Sequence, residues 1–415
     1  MRKIIQISNE WQQKRASKLF VIQGGYAFKS TDATENGVRW LKIANVGLGN
    51  IKWEEESYLP ADFLQLHSNF CLKGGDIVVA MTRPLLNGVL KIAQLSDDDS
   101  PCLLNQRVGR VTPKENVRKD FLFHVLKTRH LAYKLESDLL GTDPPNLSIK
   151  TFRNIKILLP PLPEQKAIAD LLSTWDEAIE KTERLIQAKE KRFKWLLRSL
   201  ISEPQNSRKG MEWKKVKLGE VCKISNKDKL TSVENRFLLT VKLHCLGIEK
   251  NYRIKPRLTE RGRPYYQHQF GDFLIGRQNF HNGGFGIIPS ELDGGITSNA
   301  ISVLIINESK LSKVFLWYQF LNPNYYKKVG YVMDGTGQKE LSDKQMLKLK
   351  ILLPPLKKQR QIAETLSVIQ QEIDLLKQLA EKYKTQKCGL MQKALTGEWR
   401  IKPEIIKQCG GCNCD

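Results

Sequence analysis

One hexapeptide fixes the plan of this chain. ILLPPL at 157–162 returns letter for letter at 351–356, and the two starting positions are 194 residues apart. The same spacing carries Gln165 onto Gln359, Ile168 onto Ile362, Ala169 onto Ala363, Leu172 onto Leu366, Ser173 onto Ser367, Ile179 onto Ile373, Leu185 onto Leu379 and Leu196 onto Leu390. The chain is therefore a duplication, and any architecture assigned to one half has to serve the other.

Each copy is followed by the apolar spacing of a long helix. Alternating steps of four and three visit Ile168, Leu172, Trp175, Ile179, Thr182, Ile186, Lys189, Phe193, Leu196 and Leu200. In the second copy they visit Ile362, Leu366, Ile369, Ile373, Leu376, Ala380, Tyr383, Lys387, Leu390 and Ala394. Such steps are a heptad seam. Pro160, Pro161 and Pro163 precede the first helix and Pro354 and Pro355 the second, at the boundary where proline is tolerated. Helices of roughly 35–40 residues would be on the order of 50–60 Å long. The economical partner for each seam is the other copy, paired antiparallel about a pseudo-twofold axis. The alternative is that each helix packs on its own globular neighbour.

The segments ahead of the two helices read as α+β blocks. In the first, short runs rich in β-branched residues occur at 40–44, 76–81, 89–93 and 107–111, bounded by Gly, Asn, Asp or Pro, and helix spacing follows at Phe121 to Leu135. The second echoes this order. Gly75-Asp76 reappears as Gly271-Asp272, Asn105 as Asn299, and Gly141-Thr142 with Leu147-Ser148 as Gly335-Thr336 with Leu341-Ser342. The expected boundaries are a first block at 1–156, a proline entry and central helix at 157–203, and a linker at 204–211. A second block at 212–350, a distal helix at 351–400 and a tail at 401–415 complete the chain.

Charge narrows the partner. Across 415 residues, Lys+Arg 67 against Asp+Glu 44 gives a net +23, which points to a polyanion. No apolar run is long enough to span a bilayer and MRKIIQISNEWQQK is not a signal peptide, so a cytoplasmic protein with no membrane partner and reduced thiols is expected. Cys409, Cys412 and Cys414 in the terminal CGGCNCD fall one ligand short of a tetrahedral zinc site, and no histidine lies nearby.

Catalytic patterns are missing where they would be looked for. Asp143-Pro144-Pro145-Asn146 resembles the amine-holding tetrapeptide of amino-methyltransferases but lacks the final aromatic ring that would stack on a flipped base. His244 and His281 have no nucleophile or carboxylate at a telling spacing. Gly283-Gly284 is not followed by a phosphate-loop lysine. No catalytic residue, metal ligand or cofactor-binding residue is assigned to this chain.

The loops instead carry side chains suited to base edges and phosphates. In the first block these are Lys42, Asn45, Arg83, Asn87, Lys91, Gln106 and Arg107; in the second, Arg261, Arg263, Tyr265, Tyr266, Arg277, Gln278, Asn279, His281 and Asn282. Arg suits guanine and Asn or Gln suits adenine in bidentate contacts, while cations elsewhere meet phosphate.

With LLPPLPEQKAIADLL at 158–172 and LLPPLKKQRQIAETL at 352–366, each opening a heptad helix, the chain resembles the specificity subunits of type I restriction-modification systems over nearly its whole length. Lys357-Lys358 in place of Pro163-Glu164 is a departure at the helix start. The resemblance implies an α+β fold of two pseudo-symmetric target recognition domains, joined by two long helices in an antiparallel coiled coil. It further implies that each domain reads half of a split, asymmetric sequence in double-stranded DNA and that the helices fix the unread gap. Two methylation subunits would bring S-adenosylmethionine and modify adenine, and motor-endonuclease subunits would join for cleavage. Two other readings compete: a self-sufficient methyltransferase or nuclease, and a coiled-coil scaffold whose charge serves only solubility.

Overall fold

The computed structural model describes residues 11–139, 145–201, 213–259, 262–331, 333, 340–402 and 404. The whole of the expected linker, Arg261, the Gly-Thr pairs at 141–142 and 335–336 and the cysteines of the tail lie outside the described residues.

The first copy starts with β1 (Gln12–Arg15), β2 (Phe20–Gly24), β3 (Val38–Leu41), β4 (Tyr58–Leu59), α1 (Phe63–Leu66), β5 (Cys71–Leu72) and β6 (Ile77–Ala80). A hairpin of β7 (Leu85–Leu86) and β8 (Val89–Leu90) precedes β9 (Ile92–Gln94), β10 (Cys102–Leu104) and β11 (Val108–Pro113). Then come α2 (Lys119–Leu126), α3 (Arg129–Leu139), β12 (Lys156–Leu159) and the long α4 (Leu162–Ile201). Its strands form sheets ordered β2-β11-β6-β9 and β4-β3-β10-β5, and β12 pairs back antiparallel onto β1.

The second copy comprises β13 (Lys214–Lys217), β14 (Cys222–Ile224), β15 (Leu239–Val241), β16 (Ile248–Lys250), β17 (Tyr265–Gln267), β18 (Phe273–Gly276) and β19 (Phe285–Ile287). It continues with β20 (Ile296–Ser298), β21 (Ile301–Ile306), α5 (Lys313–Leu321), α6 (Pro323–Val329), α7 (Asp343–Lys348), β22 (Lys350–Leu353) and α8 (Leu356–Leu395). The sheet β14-β21-β18-β19 matches β2-β11-β6-β9, and β22 pairs with β13 as β12 does with β1.

Two sequence expectations are refined. The helical stretch from Phe121 is broken after Leu126, where the Thr128 hydroxyl donates to the Val125 carbonyl at 2.8 Å and accepts from the Leu131 N–H. The side chain competes for backbone groups and the helix restarts. The run at 40–44 is a strand only to Leu41, because Asn45 turns the chain by accepting from the Lys42 N–H.

The duplicated Gln of each proline motif is a buried bracket. Gln165 Nε2 donates to the carbonyls of Pro160 (2.8 Å) and Asn116 (2.9 Å), and its Oε1 accepts from the Arg118 N–H (2.8 Å). Gln359 does the same with Pro354 (2.8 Å), Lys310 (3.0 Å) and the Ser312 N–H (2.8 Å). Every partner is displaced by the same 194 positions. The bracket satisfies backbone groups that the prolines and the loop would leave orphaned. The Gly-Asp echo is likewise a turn: Asp76 accepts from the Lys73 N–H and Asp272 from the Gln269 N–H, each just before its strand.

The chain divides into two compact units, residues 1–182 with 379–415 and residues 183–378. Both long helices contribute to each. In the first unit Trp175 meets Tyr383 edge-on at 5.6 Å and Asp176 takes Lys387, while nearer the start of α4 Glu164 holds Arg400, so the two helices run antiparallel. In the second unit Lys189 Nζ donates to Glu372 at 2.5 Å, whereas Leu197 and Ile201 share a core with Ile362 and Leu366, again antiparallel. Both sequence alternatives hold at once. The start of α4 (Ile168, Leu172) and the end of α8 (Ala394, Leu395) pack into the core of the first unit, and the matched ends pack into the second.

Where the helices meet the globular part, four matched positions hold a polar, charged cluster in the first unit and uncharged side chains in the second. In the first unit Asp176 receives Lys387 and lies 3.6 Å from Lys127 Nζ and 3.9 Å from His124 Nδ1. In the second unit those positions hold Gln370, Phe193, Leu321 and Tyr318, and Phe193 packs edge-on to Tyr318 at 6.2 Å. Burial pushes His124 down to about 4, with Lys127 and Lys387 adding to the effect. Burial opposes the charge on Asp176, but the two lysines overcome it and hold its carboxyl below the usual range.

His124 is thus neutral when folded and regains an ordinary imidazole value near 6.5 when unfolded. A depressed folded value gives stability that is complete above the unfolded value and is lost as pH falls through the folded one. Stability is expected to drop by on the order of 3 kcal/mol between those limits. His124→Tyr installs the residue of the other copy, whose hydroxyl reaches Ser367 as His124 reaches Ser173, and should flatten that limb. Thermal unfolding followed by circular dichroism from pH 7 to 4 would check it, and equal slopes in both proteins would count against it.

Candidate nucleic-acid interface

In the first unit the connection after β6, the β10–β11 turn and residues 145–147 are stitched into one edge. Met81 donates its N–H to the Arg107 carbonyl (2.8 Å) and accepts from the Leu147 N–H (2.6 Å). The Arg83 N–H donates to the Pro145 carbonyl (2.9 Å), and the Thr82 hydroxyl to Asn146 Oδ1 (2.9 Å). Arg83, Asn87, Gln106 and Arg107 are all exposed here, so four of the predicted side chains share this edge and its hairpin.

Lys42, Asn45 and Lys91 are used differently. Asn45 is buried; its amide donates to the carbonyls of Lys52 (2.9 Å) and Glu55 (3.0 Å) while its oxygen accepts from the Lys42 N–H (2.9 Å). Lys42 Nζ donates to Ser57 Oγ (2.9 Å) and sits 4.1 Å from the centre of the Trp40 ring. Lys91 Nζ donates to the Ile43 carbonyl (3.2 Å), and burial followed by repulsion from Lys52 lowers its pKa. These three brace the 42–57 loop.

The same stitching recurs in the second unit. The Arg277 N–H donates to the Ala300 carbonyl (3.2 Å) and its carbonyl accepts from the Leu341 N–H (3.0 Å). The chemistry on the edge differs. The Arg277 guanidinium pairs with Glu340 at 2.9 Å, Gln278 is half-buried, and Asn279 and Asn282 are exposed. His281 is half-buried against Gly330, with its Nδ1 out of reach of solvent. Tyr265 and Tyr266 are half-buried on β17, where Tyr265 pairs with Ser298 next to the Asn299-Ala300 turn. Arg263 is exposed just ahead of them.

Three neighbours are absent from the predicted set of contact residues. Tyr26 is exposed beside Gln106, whose N–H donates to its carbonyl (2.9 Å), and its ring lies 4.3 Å from His67. Thr82 and Asn146 complete the first edge. Nothing local marks Tyr26, which is brought there by pairing with Asn105.

A polar cavity of about 580 Å³ beside β6 is lined by Gln23, Asn69, Lys73, Asp76 and Arg110. Arg110 already donates to Gln23 and to the Asn69 and Cys71 carbonyls, so the group best placed to grip an anion is engaged within the protein.

The two edges thus stand on duplicated frames and carry unlike side chains. Comparison with known families decides the kinship, since the model of the type I restriction modification DNA specificity domain matches residues 8–190 and again 211–384. The chain belongs to that family. The MjaVIII type I restriction enzyme specificity subunit of Methanocaldococcus jannaschii is 41% identical over 201 residues, 47% of this chain and 47% of that protein. The EcoAI specificity subunit of Escherichia coli is 30% identical over 184 residues, 44% of this chain and 31% of that protein. The chain thus spans about half or less of the length of these curated relatives.

Among solved structures, the type I restriction-modification S subunit from M. genitalium matches with a TM-score of 0.61 at 17% identity, covering 94% of this chain and 97% of that one. A chain from work on complex assembly and conformational transition of the type I R-M system gives 0.55 at 19% identity, covering 95% and 100%. At such identities the likeness speaks for the specificity-subunit fold alone. No helix among the described residues is long and apolar enough to cross a membrane.

Proposed function

We propose that this chain is the DNA-reading subunit of a type I restriction-modification complex. Each stitched edge meets one half of a bipartite, asymmetric sequence in duplex DNA, and the antiparallel helices set the unread gap between the halves. The reaction is carried out elsewhere: two methylation subunits bring S-adenosylmethionine and modify an adenine in each half-site, and motor-endonuclease subunits cleave. The observation that carries this reading is the contrast between frame and edge. The Gln165 and Gln359 brackets and the Met81 and Arg277 stitches are conserved in geometry between the copies, while the exposed residues on the two edges are unrelated. Duplication of a frame with divergence of its exposed edges is the economical way to read two different half-sites with one scaffold. The net +23 supplies phosphate affinity without sequence information.

The test is selection from a random duplex pool by the chain assembled with its methylation partners. A single split site with unlike halves is expected, bound roughly 10³-fold or more tighter than random duplex and weakening steeply with salt. A contiguous or palindromic target, or equal affinity for all sequences, would overturn the reading. The self-sufficient alternative predicts methyl transfer from labelled S-adenosylmethionine by the chain alone.

A further inference from the structure

Each edge carries beside it an exposed leucine on a hairpin turn, and the two copies build that hairpin in different ways. In the first unit it is β7–β8, inserted directly after Arg83-Pro84 and paired Leu85↔Leu90 and Leu86↔Val89. Its turn is Asn87-Gly88, with φ of 52° and 69°, the two left-handed positions of a type I′ hairpin that Gly accepts freely. Leu85 and Leu90 pack inward, which leaves Leu86 46% exposed at the tip.

In the second unit the connection after β18 runs to its antiparallel partner β19 with no strand pair inserted. The β15–β16 turn fills the role from elsewhere in the sequence, docking on the edge through the His244 N–H to the Asn282 carbonyl (2.7 Å) and the Cys245 N–H to the Gly283 carbonyl (3.0 Å). Gly283 permits the approach, since a Cβ there would sit 2.7 Å from Cys245 N and Sγ. His244 and Cys245 are both left-handed, at 59° and 62°, a conformation costing each of them about 1–2 kcal/mol. Leu246 emerges from this turn 68% exposed.

A single exposed leucine is ordinary. Four of the six left-handed non-glycine residues among those described, Arg83, Asn87, His244 and Cys245, fall in these two turns or at their base, and backbone strain of this kind concentrates at functional sites. Resting on the DNA-reading role above, we propose that Leu86 and Leu246 are specificity-determining residues that contact thymine methyl groups, each in the half-site read by its own unit. The C5-methyl is the apolar feature that the major groove offers, and an exposed aliphatic side chain is suited to contact it.

The experiment uses the assembled methylation complex in duplex selection with Leu86→Ala, Leu246→Ala and, as a control, Ile305→Ala, an exposed apolar residue within β21. Leu86→Ala is expected to relax a thymine preference by ~10-fold at one or two positions of one half-site, leaving the other half-site and the gap unchanged. Leu246→Ala should do the reciprocal, and the control should match wild type. At the relaxed positions, uracil in place of thymine should weaken wild type and leave the leucine variant unmoved. The inference is overturned if wild type selects a split site and both leucine variants select it with the same preferences, or if uracil penalises wild type and variant alike. Absence of any split site for wild type would instead sink the DNA-reading role itself.

Discussion

Arg400→Ala is expected to destabilise the first unit by about 3–5 kcal/mol, the usual cost of stranding a buried charge. Glu164, at the start of α4, is almost wholly buried, and both its oxygens are taken by the Arg400 guanidinium at 2.6 and 2.8 Å. The Trp11 indole N–H adds a third contact at 2.9 Å, and the guanidinium lies 5.3 Å from the centre of the Trp11 ring. A residue at the opening of the domain, one at the head of the central helix and one beyond the end of the distal helix thereby share one ion pair. Truncating the arginine leaves a carboxylate that the surrounding apolar core cannot solvate. Glu164→Gln combined with Arg400→Ala should recover most of the loss, because an amide without a charged partner costs far less than a lone carboxylate. Urea unfolding of the single and double variants would measure it; a single variant within about 1 kcal/mol of wild type would show that the pair behaves as a surface contact. The second copy, with Lys358 in place of the glutamate, shows that the frame itself does not need the pair.

That substitution illustrates what the sequence discloses and what it withholds. Lys357-Lys358 stood out as a departure from Pro163-Glu164, but its meaning depends on Arg400, a partner 236 residues from Glu164. The two helices were legible because a heptad seam is a local, periodic signal, and even Lys189 and Lys387 kept their phase. That they answer Glu372 and Asp176 was not legible, since charge pairing across an antiparallel helix pair depends on register. On the edges, Asn45 and Asn87 are equivalent as sequence, both polar residues in loops. The path of the chain separates them: Asn45 is spent on the Lys52 and Glu55 carbonyls, while Asn87 tops an exposed hairpin. Leu246 lay outside any polar search, and Asn87-Gly88 was the local cue to a hairpin that could have drawn attention to Leu86.

Inserting three heptads into α4 between Thr182 and Glu183, and three into α8 between Gln378 and Leu379, is expected to lengthen the unread gap while leaving both half-sites as they are. These are the points at which each helix passes from one unit to the other, and whole heptads preserve the seam. Each helix has 40 residues, about 60 Å at 1.5 Å per residue, so 21 more add about 32 Å. One turn of the duplex is about 34–36 Å over 10–10.5 base pairs, and an extension of this size returns the second half-site to nearly the same face. A gap longer by about nine or ten base pairs should be selected, and the wild-type site should lose about 10³-fold in affinity. One heptad in each helix adds only about 10 Å, close to three base pairs, which also turns the second half-site by roughly 100° around the duplex axis. A stiff ruler cannot follow that rotation, so the one-heptad variant should bind every split site more weakly than the three-heptad one. Extending α4 alone would take its seam out of match with α8 and should cost stability before it alters specificity. Selection from a random pool separates these outcomes, and changed half-sites at an unchanged gap would mean that the helices do not measure the distance.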